Sequence, residues 1–141
     1  MRGDGAYIEV GEETNVQDSS ILHIDYDIPC ILGKRVTLGH RAIVHASEVQ
    51  DGAMIAIGAT VLSRCVVGEG AVVAAGAVVL EGTQLPPHTL WAGCPAKQIK
   101  ELTAAQRSRL AHTYQHYVNL PAAYAAHFVR SPISDDALSR R

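Results

Sequence analysis

Apolar residues recur along this chain with a period of six. From Val49 onward every sixth position is apolar, and the fourth position after each of the first seven is small. A period of six fits neither the 3.6-residue repeat of an α-helix nor plain strand alternation, but it is typical of the hexapeptide repeats of a parallel β-helix. The apolar positions are Val49, Ile55, Val61, Val67, Val73, Val79, Leu85 and Trp91, and the small ones are Ala53, Ala59, Cys65, Ala71, Ala77, Thr83 and Thr89.

The same phase extends upstream through six further apolar positions. Its slips predict a loop from Ile24 to Ile31 and a shortened corner at His45-Ala46-Ser47, while Asn15 is expected at a corner. Three hexads make one turn of a triangular prism, whose coils stack at about 4.8 Å. We therefore predict an all-β solenoid of about five coils over residues 1–96. The upstream positions are Val10, Val16, Leu22, Leu32, Leu38 and Val44.

The repeat ends after Pro95, and residues 97–141 are predicted to form a helical segment with a polar tail. Thr103-Ala104-Ala105-Gln106 has the pattern of a capping box that opens a helix. Pro121 is expected to end this helix or to start a second one. The face that packs along the prism would carry Leu110, Tyr114, Tyr117 and Val118, and the second helix would carry Tyr124 and Phe128 before a tail from Ser131 to Arg141.

Composition narrows the class of protein. The 141 residues suit one domain, and a net charge of −2 disfavours a nucleic-acid or anionic-membrane partner. The longest apolar run, from Ala71 to Leu80, is far shorter than the roughly 20 residues that cross a bilayer. No secretory or transit leader is predicted, so the expected location is cytoplasmic. The three cysteines are far apart and are expected to be reduced and structural.

Three of the seven histidines fall within the repeat where they could bind a metal ion. His23 follows Leu22 and His45 follows Val44, so both imidazoles take the same register one coil apart. His40 belongs to another side of the prism, and a neighbouring chain would have to supply it. The open alternative is that each is a solvated or packing residue.

A closed threefold trimer would place the second side of one prism against the third side of the next, which gives three equivalent sites. Three neutral imidazoles leave an open position on Zn²⁺, as in catalytic zinc sites, where bound water ionises near neutral pH. Fe²⁺ and Co²⁺ suit the same ligands. We therefore predict a metal site shared between chains of a homotrimer.

Four polar residues accompany the histidines. Gln17 follows Val16 on the side of His40, where it could donate a hydrogen bond to a bound oxyanion. Asp18 stacks beside the His40 register, and with Arg2 and Asp4 it could hold two chains together or fix a histidine tautomer. The alternative is an ordinary surface ion pair of little energetic value.

In this order the residues resemble the γ-class carbonic anhydrase family of hexapeptide-repeat proteins, and the similarity extends to about Tyr124. The resemblance implies a left-handed β-helix, a homotrimer and Zn²⁺, or Fe²⁺ or Co²⁺, bound by His23 and His45 of one chain and His40 of its neighbour. The motifs are Arg2-Gly3-Asp4, Thr14-Asn15-Val16-Gln17-Asp18, His23, Gly39-His40, His45 and Gly93-Cys94-Pro95-Ala96-Lys97.

The reaction implied is the reversible hydration of carbon dioxide to bicarbonate, a lyase reaction in which a metal hydroxide attacks carbon. The resemblance gives Gln17 the task of orienting the oxyanion, and Arg2, Asp4 and Asp18 roles around the ligands and at the interface. Tyr117 resembles a helix tyrosine that lies near the metal in relatives.

The sequence departs from the family in ways that support other hypotheses. Relatives usually carry two or more coils before Arg-Gly-Asp, so the first coil is expected to be uncovered here. Gly5 replaces a glutamate that serves proton transfer, which leaves Asp25 and Asp27 as the nearby carboxylates. A weakly active or inactive metal-binding scaffold is therefore one alternative. A hexapeptide acyltransferase with a histidine base is another, although it gives two histidines, Gln17, Arg2 and Asp4 no task.

Overall fold

In a computed structural model, which describes residues 1–127, the chain winds into a parallel β-helix of about five coils with three flat faces. The first face contains β1 (Ile8–Val10), β4 (Cys30–Leu32), β7 (Glu48–Val49), β10 (Val66–Val67) and β13 (Gln84–Leu85). The second contains β2 (Asn15–Val16), β5 (Thr37–Leu38), β8 (Met54–Ile55), β11 (Val72–Val73), β14 (Thr89–Gly93) and β15 (Ala96–Glu101). The third contains β3 (Ile21–His23), β6 (Ile43–His45), β9 (Thr60–Val61) and β12 (Val78–Val79).

The core consists of the residues that the six-residue period selected. Leu22, Leu38, Val44 and Val61 are fully buried, and the small positions from Ala53 to Ala77 are at most 1% exposed. In the first coil, Val10 and Val16 remain 43% and 37% exposed, because within the described chain that coil is covered on one side only. The predicted fold class is thus confirmed, including the period of its interior.

The coils turn at three corners, where one residue adopts the left-handed backbone region. Glycine fills this place at Gly58, Gly76 and Gly82, with φ between 67° and 71°, whereas Arg41 and Arg64 occupy it in other coils. Each corner amide donates to a carbonyl of the coil before. We call the stacked residues Asp18, His40, Ile57 and Ala75 the second corner, and the residues His45, Ala46, Ser63, Arg64, Glu81 and Gly82 the third corner.

Two features of the C-terminal region differ from the sequence predictions. After the cis peptide bond between Cys94 and Pro95, β15 runs antiparallel to β14 and closes the end of the second face. The prediction that Pro121 ends the helix or begins another is wrong, because α1 (Ala104–His127) continues through it. Pro121 is exposed, so solvent can hydrate the carbonyl that its missing N–H leaves unpaired. Phe128 and the tail from Ser131 to Arg141 lie outside the described residues.

The helix begins as predicted. The Gln106 amide donates to Thr103 Oγ1 over 3.3 Å and the Thr103 amide donates to Gln106 Oε1 over 3.1 Å, which is a capping box. Leu110, Tyr114, Tyr117 and Val118 are half-buried, and α1 lies against β2. None of the helical residues up to 127 provides a span long and apolar enough to cross a bilayer.

Candidate metal centre

His23 and His45 face each other on the outside of the third face. Strand β3 pairs with β6 so that His23 lies opposite His45, while the preceding Leu22 and Val44 point inward and are fully buried. Successive side chains in a strand alternate, so both imidazoles must point outward. His23 Nδ1 lies 3.1 Å from His45 Nε2, and the ring centroids are 5.1 Å apart. The predicted shared register of these two histidines is observed.

Arg2 and Asp4 lie beside His23. Arg2 forms a parallel bridge with His23, and its amide donates to the Leu22 carbonyl over 3.1 Å, which fixes the N-terminal segment against β3. The Arg2 Nε donates to His23 Nε2 over 3.1 Å and lies 3.2 Å from Asp4 Oδ2. Asp4 Oδ1 is 3.5 Å from the same imidazole nitrogen. The three side chains therefore form one polar cluster at the edge of the prism.

An open cleft of about 340 Å³ lies beside the two imidazoles. The loop after β3 forms its far side: Asp25 and Ile28 exchange backbone hydrogen bonds, and Tyr26 projects 81% exposed. Asp25 Oδ1 accepts the Tyr26 amide over 2.9 Å, while Asp27 adopts a left-handed backbone in the turn. Of the two predicted loop carboxylates, Asp25 is the one that lines the cleft. The lining consists of Asp4, Gly5, His23, Ile24, Asp25, Tyr26 and His45.

His45 has a second partner that the sequence analysis missed. Its Nδ1 lies 2.9 Å from the Ser63 hydroxyl oxygen, on the next coil at the third corner. The Arg64 amide donates to the Ala46 carbonyl over 2.8 Å. This bond fixes the turn that carries Ser63 against the turn that carries His45 in the coil before. A serine in a corner is an ordinary turn residue in sequence, so only the stacking of coils reveals this contact.

His40 lies on the second corner, apart from the other two histidines. Its Nδ1 is 3.4 Å from Asp18 Oδ2 on the coil before, and its side chain is 50% exposed. Within residues 1–127, no three histidine, cysteine or carboxylate side chains converge closely enough to bind one metal ion. One chain thus brings together two of the three predicted ligands and places the third at a different corner.

Gln17 lies on the second face, next to the corner that carries His40. Its Nε2 donates to Asn15 Oδ1 over 3.3 Å, and Asn15 Nδ2 donates to Thr37 Oγ1 over 2.9 Å. Asn15 is therefore a strand residue of β2 whose amide links two coils, and its predicted corner role is wrong. The chain of amides holds Gln17 in place with its carbonyl oxygen free of these bonds.

Tyr117 occupies the half-buried face of α1. Its ring meets His116 edge-on with centroids 5.4 Å apart, and it does not line the cleft beside His23 and His45. The structure of one chain therefore gives Tyr117 a packing contact on the helix.

The donor chemistry fits a borderline divalent metal ion. Imidazole nitrogen is a ligand that Zn²⁺, Fe²⁺ and Co²⁺ all accept. Two half-buried imidazoles face each other at 3.1 Å, and the other nitrogen of His45 contacts the Ser63 hydroxyl, an acceptor of the kind that metal-binding histidines commonly have. The two residues can therefore supply two ligands, and the remaining ligand must come from outside this pair.

Comparison with known proteins shows that the chain is similar to carbonic anhydrases. It is 40% identical over 126 residues to a carbonic anhydrase of Geobacillus kaustophilus, covering 89% of this chain and 69% of that protein. It is 35% identical over 132 residues to the mitochondrial γ carbonic anhydrase 2 of Arabidopsis thaliana, of which it spans about half, 48%. No family model matches the chain.

Solved structures agree with the fold. A hexapeptide transferase family protein from Anaplasma phagocytophilum superposes with a TM-score of 0.82 at 36% identity, covering 87% of this chain and 72% of that one. The Geobacillus relative is a carbonic anhydrase matched over 69% of its length, and the name of the Arabidopsis relative gives the γ class. From the repeat, the paired histidines and these relatives together, the chain belongs to the γ-class carbonic anhydrase family.

Proposed function

We propose that this protein is a carbonic anhydrase that converts carbon dioxide and water into bicarbonate and a proton, and the reverse. The observation that carries the proposal is the His23–His45 pair, whose nitrogens face each other at 3.1 Å in a chain of this family. One C–O bond forms while one O–H bond of water breaks and its proton passes to solvent, so the reaction needs no oxidant or reductant.

The metal is proposed to bind to His23 and His45 of one chain and His40 of its neighbour. Zn²⁺ is the first candidate, and Fe²⁺ and Co²⁺ suit the same ligands. When bound, such an ion supplies a hydroxide nucleophile at neutral pH by lowering the pKa of water. His40 supports the shared site because it lies on a different corner from the pair and half of its side chain is exposed.

The surface of the chain supports a homotrimer. On the third face the outward positions beside the histidines include Ile21 and Leu80, each 50% exposed. On the second corner Ile57 lies directly after His40 in the stack and is 56% exposed. An apolar corner and an apolar face on one molecule can cover each other around a threefold axis. This contact would carry His40 of one chain toward the histidine pair of the next.

The remaining polar residues are proposed to bind the substrate, to orient the histidines and to transfer the proton. The free carbonyl oxygen of Gln17 can accept a hydrogen bond from a water or from the hydroxyl of bicarbonate. Arg2 and Asp4 hold His23, and Asp18 holds His40 through the Nδ1 contact. Asp25, on the far side of the cleft, is the loop carboxylate best placed to pass a proton to solvent. Tyr117 stays a prediction from the family resemblance.

A metal-binding scaffold with little turnover is the second candidate. It is favoured by the cleft itself, where Gly5 offers no side chain and the Asp25 carboxylate already accepts the Tyr26 amide. The two candidates differ in turnover and not in metal content. A cytoplasmic location is likewise a proposal from the sequence, and the Arabidopsis relatives carry mitochondrial names.

Stopped-flow hydration of carbon dioxide tests the proposal. The protein is loaded with Zn²⁺, or with Fe²⁺ without oxygen, and compared with His40→Ala; His112→Ala, an exposed histidine on α1, is the matched control. We expect turnover in the wild type and the control, and a loss on the order of 100-fold or more in His40→Ala. Bound metal without turnover in the wild type would favour the scaffold, and no bound metal would contradict both candidates.

A further inference from the structure

We propose that Ser63 is a positioning residue that accepts the Nδ1–H of His45 and so holds this ring in the orientation in which Nε2 carries the lone pair that a metal ion would bind. The proposal rests on the proposed function, because it assigns a task to a residue beside the metal ligands. Ser63 is absent from the family motifs in this sequence, and its role follows from a chain of hydrogen bonds along the third face.

The chain of bonds begins at a group that can only donate. The guanidinium of Arg2 has no acceptor, so its Nε–H must donate to His23 Nε2 across the 3.1 Å contact. A neutral imidazole carries one N–H, which places the proton of His23 on Nδ1. That nitrogen lies 3.1 Å from His45 Nε2 and donates to it.

The assignment then continues to Ser63. Because His45 Nε2 accepts, the proton of His45 is on Nδ1, and it donates to the Ser63 hydroxyl oxygen over 2.9 Å. These tautomers follow from which neighbouring groups can donate a hydrogen bond and which can accept one. Each imidazole therefore carries its lone pair on Nε2, where a metal ion would take the place of the N–H that Arg2 or His23 donates in the metal-free chain.

Backbone hydrogen bonds hold Ser63 in the position where its hydroxyl accepts the His45 Nδ1–H. Its carbonyl accepts the Gly82 amide over 2.9 Å, and the adjacent Arg64 amide donates to Ala46 over 2.8 Å. The serine is therefore bonded to the coils on both sides, and its hydroxyl meets His45 without moving the backbone. Metal-binding histidines usually donate their other ring N–H to such an acceptor, and loss of the acceptor typically weakens metal binding about 10- to 100-fold.

The first test is made on metal-free protein and needs no activity. Ring nitrogens labelled with ¹⁵N distinguish N–H from a lone pair by chemical shift, and His45→Ala identifies the signals of His45. We expect the Nδ1–H tautomer in the wild type, a changed His45 Nδ1 chemical shift in Ser63→Ala because this N–H loses its acceptor, and the wild-type spectrum in Ser63→Thr, which keeps the hydroxyl. An unchanged His45 spectrum in Ser63→Ala would overturn the proposal.

The second test is Zn²⁺ affinity by competition with a chromophoric chelator. We expect about 10- to 100-fold weaker binding in Ser63→Ala, recovery in Ser63→Thr, and no change in Thr83→Ala, whose corner hydroxyl bonds the Leu80 carbonyl instead of an imidazole. Equal weakening in the Thr83→Ala control, or no recovery with threonine, would overturn a specific role for Ser63. If the wild type binds no Zn²⁺, the proposed function fails, and the ¹⁵N spectra still decide the role of Ser63.

Discussion

Individual side chains in this protein are governed by where the six-residue repeat places them. Cys30 occupies an inward position of the second coil and is fully buried, with its thiol 3.7 Å from the Val44 carbonyl. Burial raises the pKa of the Cys30 thiol from its ordinary 9.0 to about 11, because the interior disfavours the thiolate. Cys65 is buried in the same way, and burial is also the main cause that raises the pKa of its thiol.

This burial predicts a loss of stability in alkali. Between pH 9 and 11 the unfolded chain releases the Cys30 proton while the folded chain keeps it, so the free energy of unfolding falls as pH rises. The two pKa units correspond to about 3 kcal/mol at most above the window. Urea unfolding from pH 8 to 11 should show a shallower decline in Cys30→Ala than in the wild type. Parallel declines would show that Cys30 does not contribute.

The residue scale also shows how far sequence reasoning reaches at the candidate site. His23 and His45 could be placed because each follows an inward residue, and a strand alternates its side chains. The role of Ser63 could not be predicted, since its contact with His45 depends on how two successive coils stack at the third corner, 18 residues apart in sequence. The proposed approach of His40 to the histidine pair of a neighbouring chain likewise lies beyond a single chain's repeat and remains a prediction.

At the scale of elements, glycine serves the coils in two physically different ways. Gly76 has φ of +67° and open space where a Cβ would lie, so it is selected for backbone conformation. Gly68 is not in the left-handed region, but a Cβ there would lie 2.6 Å from the Leu85 carbonyl oxygen and 2.7 Å from the Pro87 nitrogen. It is selected because the next coil's backbone passes close to it.

The two glycines therefore predict different costs of the same substitution. Gly76→Ala should lower the free energy of unfolding by about 1 kcal/mol, the cost of a left-handed alanine. Gly68→Ala should cost more, about 2–3 kcal/mol, because backbone has to shift. Urea unfolding of both variants gives the order, and a larger loss in Gly76→Ala would contradict this account of coil packing.

Elements differed in how well the sequence predicted them. The strands and the start of α1 follow from local signals: the hexad and the capping box at Thr103. Strand β15 has no such signal, because its outer residues from Lys97 to Glu101 are exposed and polar or mixed, and its place depends on pairing with β14. The continuation of α1 through Pro121 depends on solvent exposure, which a helix-breaking rule does not include.

At the scale of the whole molecule, the prism places the three proposed metal ligands at two separate positions. The histidine pair lies on the third face and His40 on the second corner, with exposed apolar side chains beside both. In the proposed trimer each metal site belongs to two chains, and the chain is active only as an oligomer. Family membership and the geometry of one chain support this arrangement, which an experiment on mixed chains can test directly.

The most direct test is complementation between two inactive variants. His40→Ala and His45→Ala each lack one proposed ligand, yet a trimer that contains both can join an intact pair from the first to an intact His40 from the second. Co-expressed in equal amounts, they should recover about one quarter of wild-type carbon dioxide hydration, because random assembly completes about one site in four. Each variant alone should be inactive. Mixed trimers without turnover, or turnover in either variant alone, would contradict a site shared between chains.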